Sequence, residues 1–410
     1  MTAKLTGPPN PKTNPMPAPI KQHLIDPELC IRCYTCESMC TVDAISHDHL
    51  NVVVDAEKCN ACMDCIAPCP TGSIDHWRIV DAAYSLGEQL SWSELPKPRA
   101  PVHDEDAPIE AHDAEVEKLL AEAHGGGGGR ARAPRSATKP SINVYTLAKP
   151  ARASVQGNYR LTHETADNDV RHVILDLGAQ PFPVLEGQSV GVIAPGLDSK
   201  GKPHLPRLYS VSSPRDGERP NFNNLSLTVK REPGGIASNF LCDLKKGDKV
   251  DLVGPFGATF LMPNDPKAKL LMICTGTGSA PFRGFTMRRQ REGADYPAPM
   301  TLVFGARRPE ELPYFGPLAK VPDEVLVKWF AFSRVAGQPR RYVQDRLRER
   351  EETVSALLAD PDAHVYVCGL RAMESGVEEA LSNIAESTGL SWTALRDAMR
   401  EEGRYHIETY

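Results

Sequence analysis

Eight cysteines in two identically spaced groups constrain this chain more than any other feature. The groups are Cys30, Cys33, Cys36 and Cys40, followed by Cys59, Cys62, Cys65 and Cys69. Both read Cys-x2-Cys-x2-Cys-x3-Cys, and each cysteine lies 29 positions before its counterpart. The match extends to Asp26 with Asp55 and to Ile45 with Ile74. We therefore predict an internal repeat whose halves pack with approximate two-fold symmetry.

Disulfides, zinc and iron–sulfur clusters are the three chemistries that such cysteines could serve. We find neither an apolar run long enough to span a bilayer nor a signal peptide, so we expect a reducing, cytoplasmic location. Cysteine clusters in that compartment hold metals more often than disulfides. Structural zinc uses two cysteine pairs separated by a spacer, which differs from this crowded pattern. The spacing therefore favours iron–sulfur clusters.

The cysteine block resembles bacterial two-cluster ferredoxins, in which the fourth cysteine of each motif ligates the other cluster. The resemblance implies two [4Fe–4S] clusters with crossed ligands. One set is Cys30, Cys33, Cys36 and Cys69, and the other is Cys59, Cys62, Cys65 and Cys40. The family's proline after the fourth cysteine is present as Pro70 but replaced by Thr41, so we expect the two cluster potentials to differ.

The rest of the chain predicts a multidomain α+β and α/β protein. Short β-rich runs such as HVILDL and LSLTVKR indicate an antiparallel barrel, and KLLMICT and PMTLVFGA indicate buried parallel strands. Five successive glycines, Gly125–Gly129, indicate a linker. The predicted units are a disordered Pro-rich arm (1–20), a ferredoxin domain (21–80), a flexible acidic and Gly-rich linker (81–140), a β-barrel (141–265) and an α/β domain (266–410).

Three strings in the barrel region resemble the FAD domain of plant-type ferredoxin–NADP reductases. They are RLYSVSS (207–213), LSLTVKR (225–231) and PGGIASNFL (233–241). The resemblance implies that the barrel binds FAD, with Tyr209 stacked on the flavin. The implied FAD contacts are Arg207, Leu208, Tyr209, Ser210, Thr228, Val229, Lys230, Gly235, Ile236, Ala237 and Ser238.

The string CTGTGSAPFR (274–283) follows a predicted strand and precedes a predicted helix. This context brings Gly276 and Gly278 close to a pyrophosphate. FSR (332–334) and RRYVQ (340–344) resemble the reductases' grip on an adenosine 2′-phosphate, which favours NADPH over NADH. The implied NADPH contacts are Thr275, Gly276, Gly278, Ser333, Arg334, Arg340, Tyr342, Gly369, Leu370 and Tyr410.

The strings VCGLRAME (367–374) and RYHIETY (404–410) complete this resemblance. It implies that the catalytic residues Ser210, Cys368 and Glu408 surround the reacting atoms. It also implies that Tyr410 covers the flavin and moves aside for nicotinamide.

A two-cluster ferredoxin ahead of such a reductase is similar to the reductase components of benzoyl-CoA 2,3-epoxidases, also called benzoyl-CoA oxygenase component A, which act in aerobic benzoate degradation. The implied path runs from NADPH through FAD and two clusters to a separate di-iron oxygenase component. An NADPH reductase serving another oxygenase or low-potential acceptor stays open as the alternative, and a non-enzymatic iron–sulfur or zinc scaffold is disfavoured. The net charge of −6 argues against nucleic acid as a partner, we expect no membrane association, and homodimer formation stays open.

Overall fold

The computed structural model describes residues 20–28, 30–60, 62, 64, 65, 69, 73, 74, 77–80, 82–96, 132–198, 201–219, 222–293 and 297–410. Most of the predicted arm, the central part of the predicted linker with Gly125–Gly129, and Pro70 lie outside these residues. The chain divides into an amino-terminal and a carboxy-terminal compact unit. No helix in the described ranges is both long enough and apolar enough to cross a bilayer.

The amino-terminal unit contains two small antiparallel sheets and two short helices. Strand β1 (Ile20–His23) pairs with β4 (Trp77–Val80), and β2 (Ile45–His47) pairs with β3 (Val52–Val54). The helices are α1 (Thr35–Met39) and α2 (Leu86–Leu90). Helix α2 lies in the predicted linker, and its buried Gln89 exchanges hydrogen bonds with the backbone of Val54 (2.9 and 3.1 Å).

Both cysteine motifs begin with the same local turn. The backbone N–H of Cys30 donates to the carbonyl of Asp26 (2.9 Å), and that of Cys59 donates to Asp55 (3.0 Å). The Asp26 carboxylate accepts from the N–H of residue 28 at 2.9 Å, and Asp55 accepts from residue 57 at 3.0 Å. The predicted repeat is therefore present in the local structure as well as in the spacing.

The carboxy-terminal unit begins with a six-stranded antiparallel barrel. Its strands are β5 (Ala151–Arg160), β6 (Val170–Asp176), β7 (Ser189–Ile193), β8 (Arg207–Ser210), β9 (Asn224–Lys230) and β10 (Lys249–Phe256). They follow the order β8-β7-β10-β5-β6-β9, and a bridge between Val211 and Leu227 joins the two ends. Helix α3 (Ile236–Asp243) packs against β9. Alternating Val and Leu side chains fill the interior.

A doubly wound parallel sheet follows the barrel. Its strands are β11 (Lys269–Thr275), β12 (Met300–Ala306), β13 (Leu326–Phe332), β14 (Ala363–Gly369) and β15 (Tyr405–Thr409), in the order β13-β12-β11-β14-β15. Its helices are α4 (Ser279–Glu292), α5 (Phe315–Ala319), α6 (Val343–Glu349), α7 (Glu351–Ala359), α8 (Glu374–Ser387) and α9 (Trp392–Glu401). The strand order reverses between β11 and β14, where such folds bind nucleotides. The predicted fold class is confirmed.

A buried ion cluster joins the barrel to the parallel sheet. The Glu186 carboxylate, fully buried, pairs with Arg215 at 2.8 Å and with Arg288 of α4 at 3.3 Å. Burial alone raises the pKa of such a carboxyl, but the two arginines lower the pKa of Glu186 to about 2. Ionised Glu186 therefore links the barrel to helix α4 of the parallel-sheet domain.

Candidate functional site

Three glycines form the floor of a crevice at the carboxyl ends of β11 and β14. Gly276 has a φ of 56° at the turn that follows β11. A Cβ atom on Gly278 would lie 2.2 Å from the Cys368 carbonyl oxygen, and one on Gly369 would lie 2.8 Å from the Thr275 carbonyl. Only glycine allows these two strand ends to approach so closely. The resulting cradle of backbone groups fits a dinucleotide pyrophosphate.

Cys368 and Glu408 are direct neighbours across the β14–β15 pairing. Cys368 is buried, and burial raises the pKa of its thiol well above the usual value. Glu408 Oε2 is also buried and has no hydrogen-bond partner. Burial raises the pKa of Glu408 to about 7, and a hydrogen bond from Ser189 partly opposes this rise. The carboxyl is therefore able to gain or lose a proton near neutral pH.

Ser189 connects Glu408 with the predicted flavin strand. Ser189 of β7 pairs with Ser210 of β8, and their hydroxyl oxygens lie 3.5 Å apart. The same Ser189 side chain hydrogen-bonds the Glu408 carboxyl. Two residues that the sequence predicted as catalytic, Ser210 and Glu408, thus meet through a third that it did not single out.

Tyr410 lies against the turn that contains Gly276 and Gly278. Its hydroxyl hydrogen-bonds the Thr277 hydroxyl, and its backbone N–H donates to the Gly369 carbonyl at 3.0 Å. The side chain is about half exposed, with 52% of its surface accessible. An exposed ring with one hydroxyl contact can be displaced by a ligand at modest cost.

The predicted FAD residues lie on two barrel strands and one helix start. Arg207–Ser210 form β8, where Tyr209 packs partly buried against the barrel core, and burial raises the pKa of Tyr209 to about 12. Thr228 of β9 is buried, and its hydroxyl contacts that of Tyr314 at 2.6 Å. Its neighbours Val229 and Lys230 end β9. Gly235 precedes α3, whose first residues are Ile236, Ala237 and Ser238.

The four residues predicted to hold a 2′-phosphate lie between β13 and α6. The Arg341 N–H donates to the Phe332 carbonyl at 3.0 Å, which brings residues 340–342 beside residues 332–334. Ser333 is partly buried, whereas Arg334, Arg340 and Tyr342 are exposed. The structure therefore brings this predicted set together at the edge of the nucleotide crevice, with both guanidinium groups open to solvent.

Six of the eight cysteines belong to or pack against one small apolar core in the amino-terminal unit. Cys36 and Cys65 are buried in it, and Cys30, Cys40, Cys59 and Cys69 pack against it. Burial is the main cause that raises the pKa of Cys36 to about 11, and the charges of Cys30, Cys69 and Cys33 raise this pKa further. Cys69 of the second motif is therefore near two cysteines of the first, Cys36 and Cys33. Eight soft thiolate donors fit iron–sulfur chemistry.

No group of three His, Cys, Asp or Glu side chains among the described residues is arranged to hold a single metal ion. Cys242 and Cys274, which the sequence predicts to be buried thiols and not ligands, are buried.

Comparisons with known proteins agree with this geometry. An oxidoreductase NAD-binding domain model matches residues 272–379, and a 4Fe–4S dicluster domain model matches residues 22–70. The ferredoxin–NADP reductase of Synechocystis is 38% identical over 288 residues, which cover 66% of this chain and 70% of that protein. This chain belongs to the ferredoxin–NADP reductase family. The leaf-type chloroplastic ferredoxin–NADP reductase of Nicotiana tabacum is 34% identical over 287 residues, covering 66% of this chain and 79% of that protein.

A solved structure of a family member has the same fold. A variant of the Plasmodium falciparum ferredoxin–NADP+ reductase in complex with 2′P-AMP superposes with a TM-score of 0.54 at 25% identity. The match covers 66% of this chain and 99% of that one. This ferredoxin–NADP reductase family member is thus an NADPH-dependent oxidoreductase of the FAD-binding type, and it has an amino-terminal iron–sulfur domain.

Proposed function

We propose that this family member passes electrons from NADPH through FAD and two [4Fe–4S] clusters to a separate di-iron oxygenase component that epoxidises benzoyl-CoA. The observation that carries the proposal is the presence of a dicluster domain and a reductase in one chain. The reductase oxidises a two-electron donor, whereas each cluster accepts one electron. A dicluster domain on the same chain would supply electrons one at a time to an external acceptor.

The nucleotide end of the path is formed by residues of the parallel sheet. We propose that Thr275, Gly276, Gly278, Gly369 and Leu370 line the pyrophosphate and nicotinamide, as the close approach of β11 and β14 supports. Arg334 and Arg340, with Ser333 and Tyr342, would hold the 2′-phosphate. Exposed guanidinium groups suit this task, because they form bidentate, charge-assisted hydrogen bonds with phosphate.

The reaction end brings together Ser210, Cys368, Glu408 and Tyr410. FAD, when bound on β8, β9 and the start of α3, supplies the conversion of a hydride into single electrons. Tyr410 covers the crevice and leaves it when nicotinamide enters, which needs only the loss of its contact with Thr277. Glu408, with a pKa of about 7, holds or releases a proton beside Ser189 and Ser210. The buried Cys368, next to Glu408 across the β14–β15 pairing, forms part of the crevice lining.

We propose two clusters with crossed ligands in the amino-terminal domain. Cys30, Cys33, Cys36 and Cys69 would form the first set, and Cys59, Cys62, Cys65 and Cys40 the second. The electrostatic coupling of Cys36 to Cys69 supports the first set. The domain limits at residues 80, 140 and 265, the linker between the first two, and a cytoplasmic location belong to the same proposal.

The test combines metal analysis with reconstitution. Anaerobically purified chain should contain about eight irons and one FAD, and NADPH should bleach the visible absorbance of both groups. Mixing it with the candidate di-iron oxygenase should then give NADPH- and O2-dependent consumption of benzoyl-CoA. Bleaching without consumption of benzoyl-CoA would exclude the oxygenase partner and favour a reductase for another acceptor. Fewer than about five irons would exclude the second cluster.

A further inference from the structure

We propose that the surface around Cys33 is where an electron-accepting protein docks, and that this partner presents basic side chains around its own redox centre. The surface, here called the Cys33 patch, consists of Ile31, Tyr34 and Leu50. The inference rests on the first [4Fe–4S] cluster of the proposed function, and it identifies which cluster delivers electrons and to what kind of partner.

Cys33 is the exposed member of the eight cysteines, all of which lie in the described ranges. The Thr35 hydroxyl donates a hydrogen bond to its sulfur at 3.3 Å. Its counterpart Cys62 is only partly exposed. Electron transfer slows steeply with distance, so an acceptor that contacts Cys33 has the shortest route to a cluster.

Two large apolar side chains lie close to Cys33 on the protein surface. Ile31 is 62% exposed and Leu50 is 52% exposed. Leu50 lies beside the cysteine loop, because its carbonyl oxygen accepts a hydrogen bond from Arg32 Nε at 2.5 Å. Exposed apolar side chains that cluster in this way mark protein interaction sites. In the second repeat, the position of Ile31 is occupied by the exposed polar Asn60.

The backbone on both sides of Cys33 has an unusual conformation. Arg32 and Tyr34 have φ values of 56° and 58°, in the left-handed region that non-glycine residues rarely adopt. The Tyr34 ring stacks on His47 with centroids 4.0 Å apart, which holds one side of the loop in place. Such strain persists at functional sites, and here it accompanies the exposed sulfur.

Acidic side chains border the patch. Residues 20–60 contain seven Asp and Glu but only three Lys and Arg. Glu37 lies beside Tyr34 through His47, whose Nδ1 is 2.7 Å from the Glu37 carboxylate. Asp48 lies next to Leu50, and hydrogen bonds from the N–H groups of Asn51 and Leu50 lower the pKa of its carboxyl. An apolar centre with a negative rim is complementary to a basic partner and speeds the encounter.

The composition of the patch suits a transient partner. Electron-transfer complexes are at the low end of interface size, below about 1,200 Å² of buried surface, and they dissociate rapidly. A few apolar side chains beside the exposed cluster ligand Cys33 give a small contact area. Long-range electrostatic attraction to the acidic rim brings the partner in without slowing its release. The other conceivable occupant is the reductase part of the same chain, and the experiment separates the two.

The test uses the full holoprotein and cytochrome c, a small basic haem protein, as the acceptor probe. The variant Ile31→Gln with Leu50→Gln removes two apolar members of the patch, and Ile142→Gln with Leu390→Gln removes two other exposed apolar side chains elsewhere. We expect cytochrome c reduction at low salt to fall at least tenfold in the first variant and to stay within twofold in the second. NADPH-driven bleaching of FAD and clusters should be unchanged in both.

Hydrogen–deuterium exchange measures the binding of cytochrome c directly and does not depend on turnover. Excess cytochrome c should slow exchange at residues 30–50 in the wild-type chain and not in the patch variant. Protection elsewhere, or equal rates in the two variants, would overturn the inference. Slower internal bleaching in the patch variant would assign the patch to the chain's own reductase part. The iron content is measured first. A chain that lacks iron contradicts the proposed function, whereas a chain with its irons that does not bind cytochrome c at the patch contradicts only this inference.

Discussion

Gly278 and Cys368 approach so closely that a Cβ atom on Gly278 would lie 2.2 Å from the Cys368 carbonyl oxygen. The contact joins the turn after β11 to the end of β14, which are the two strand ends where the order of the sheet reverses. The backbone geometry of the nucleotide crevice therefore depends on the missing side chain of one glycine.

Gly278→Ala should disable the crevice. The added methyl group meets backbone atoms that cannot rotate away, so the two strand ends must separate. We expect kcat/KM for NADPH with ferricyanide as acceptor to fall at least tenfold, while the FAD content stays near that of the wild type. Gly316→Ala is the matched control, because nothing lies within 4 Å of a Cβ atom there. Normal kinetics in Gly278→Ala would show that the crevice does not bind the cofactor.

Arg334→Ala should change the choice between nicotinamide cofactors. A charged hydrogen bond to phosphate contributes about 1.5–3 kcal/mol, which corresponds to roughly 10- to 100-fold in KM for NADPH. NADH lacks the 2′-phosphate, so its KM should change less than threefold. Arg341→Ala is the control, since Arg341 pairs with Glu349 and is outside the predicted set. Equal effects of Arg334→Ala on both cofactors would remove Arg334 from the phosphate site.

The sequence could predict those strands and turns whose residue pattern alone, such as a β-rich run or a glycine pair, determines the local structure. The runs quoted for β6, β9, β11 and β12 are strands, and the Gly276–Gly278 turn follows β11 as expected. Strand β5 has alternating small residues and a register shift between Val155 and Gly157, so it lacks the β-rich signal of its neighbours. The conformation around Cys33 was also beyond prediction, because it places two non-glycine residues at positive φ.

Side chains that depend on long-range packing could not be predicted. Ser189 gains its contacts from Ser210, 21 residues later, and from Glu408, which follows it by more than 200 residues. Glu186 lies in a turn-like string, where a carboxylate is normally solvated. It is buried because Arg215 and Arg288 arrive from distant parts of the chain. Neither set of contacts is visible in local spacing.

Ser189→Ala should move the pH dependence of flavin reduction to higher pH. Its hydrogen bond stabilises the ionised form of Glu408, so losing it favours the protonated form and raises the pKa above about 7. The inflection in the rate of NADPH-driven FAD bleaching, measured by stopped flow between pH 5.5 and 9, should shift upward whichever form reacts faster. Glu408→Gln is the control and should remove the inflection. An inflection that persists in Glu408→Gln would assign the titration to another group.

Cys69→Ala and Cys40→Ala should each remove a cluster from the opposite motif. Cys69 is electrostatically coupled to Cys36 and Cys33, so its loss should empty the site of the first motif. Cys40→Ala should empty the second site and leave the first intact. Each variant should retain about four of eight irons, and redox titration followed by electron paramagnetic resonance should lose a different signal in each. If both variants lost the same signal, or if Cys69→Ala kept the cluster next to Cys36, each motif would bind its own cluster. The exposed Cys33 would then share its cluster with Cys40, and the electrons leaving by the Cys33 patch would not pass a residue of the second repeat.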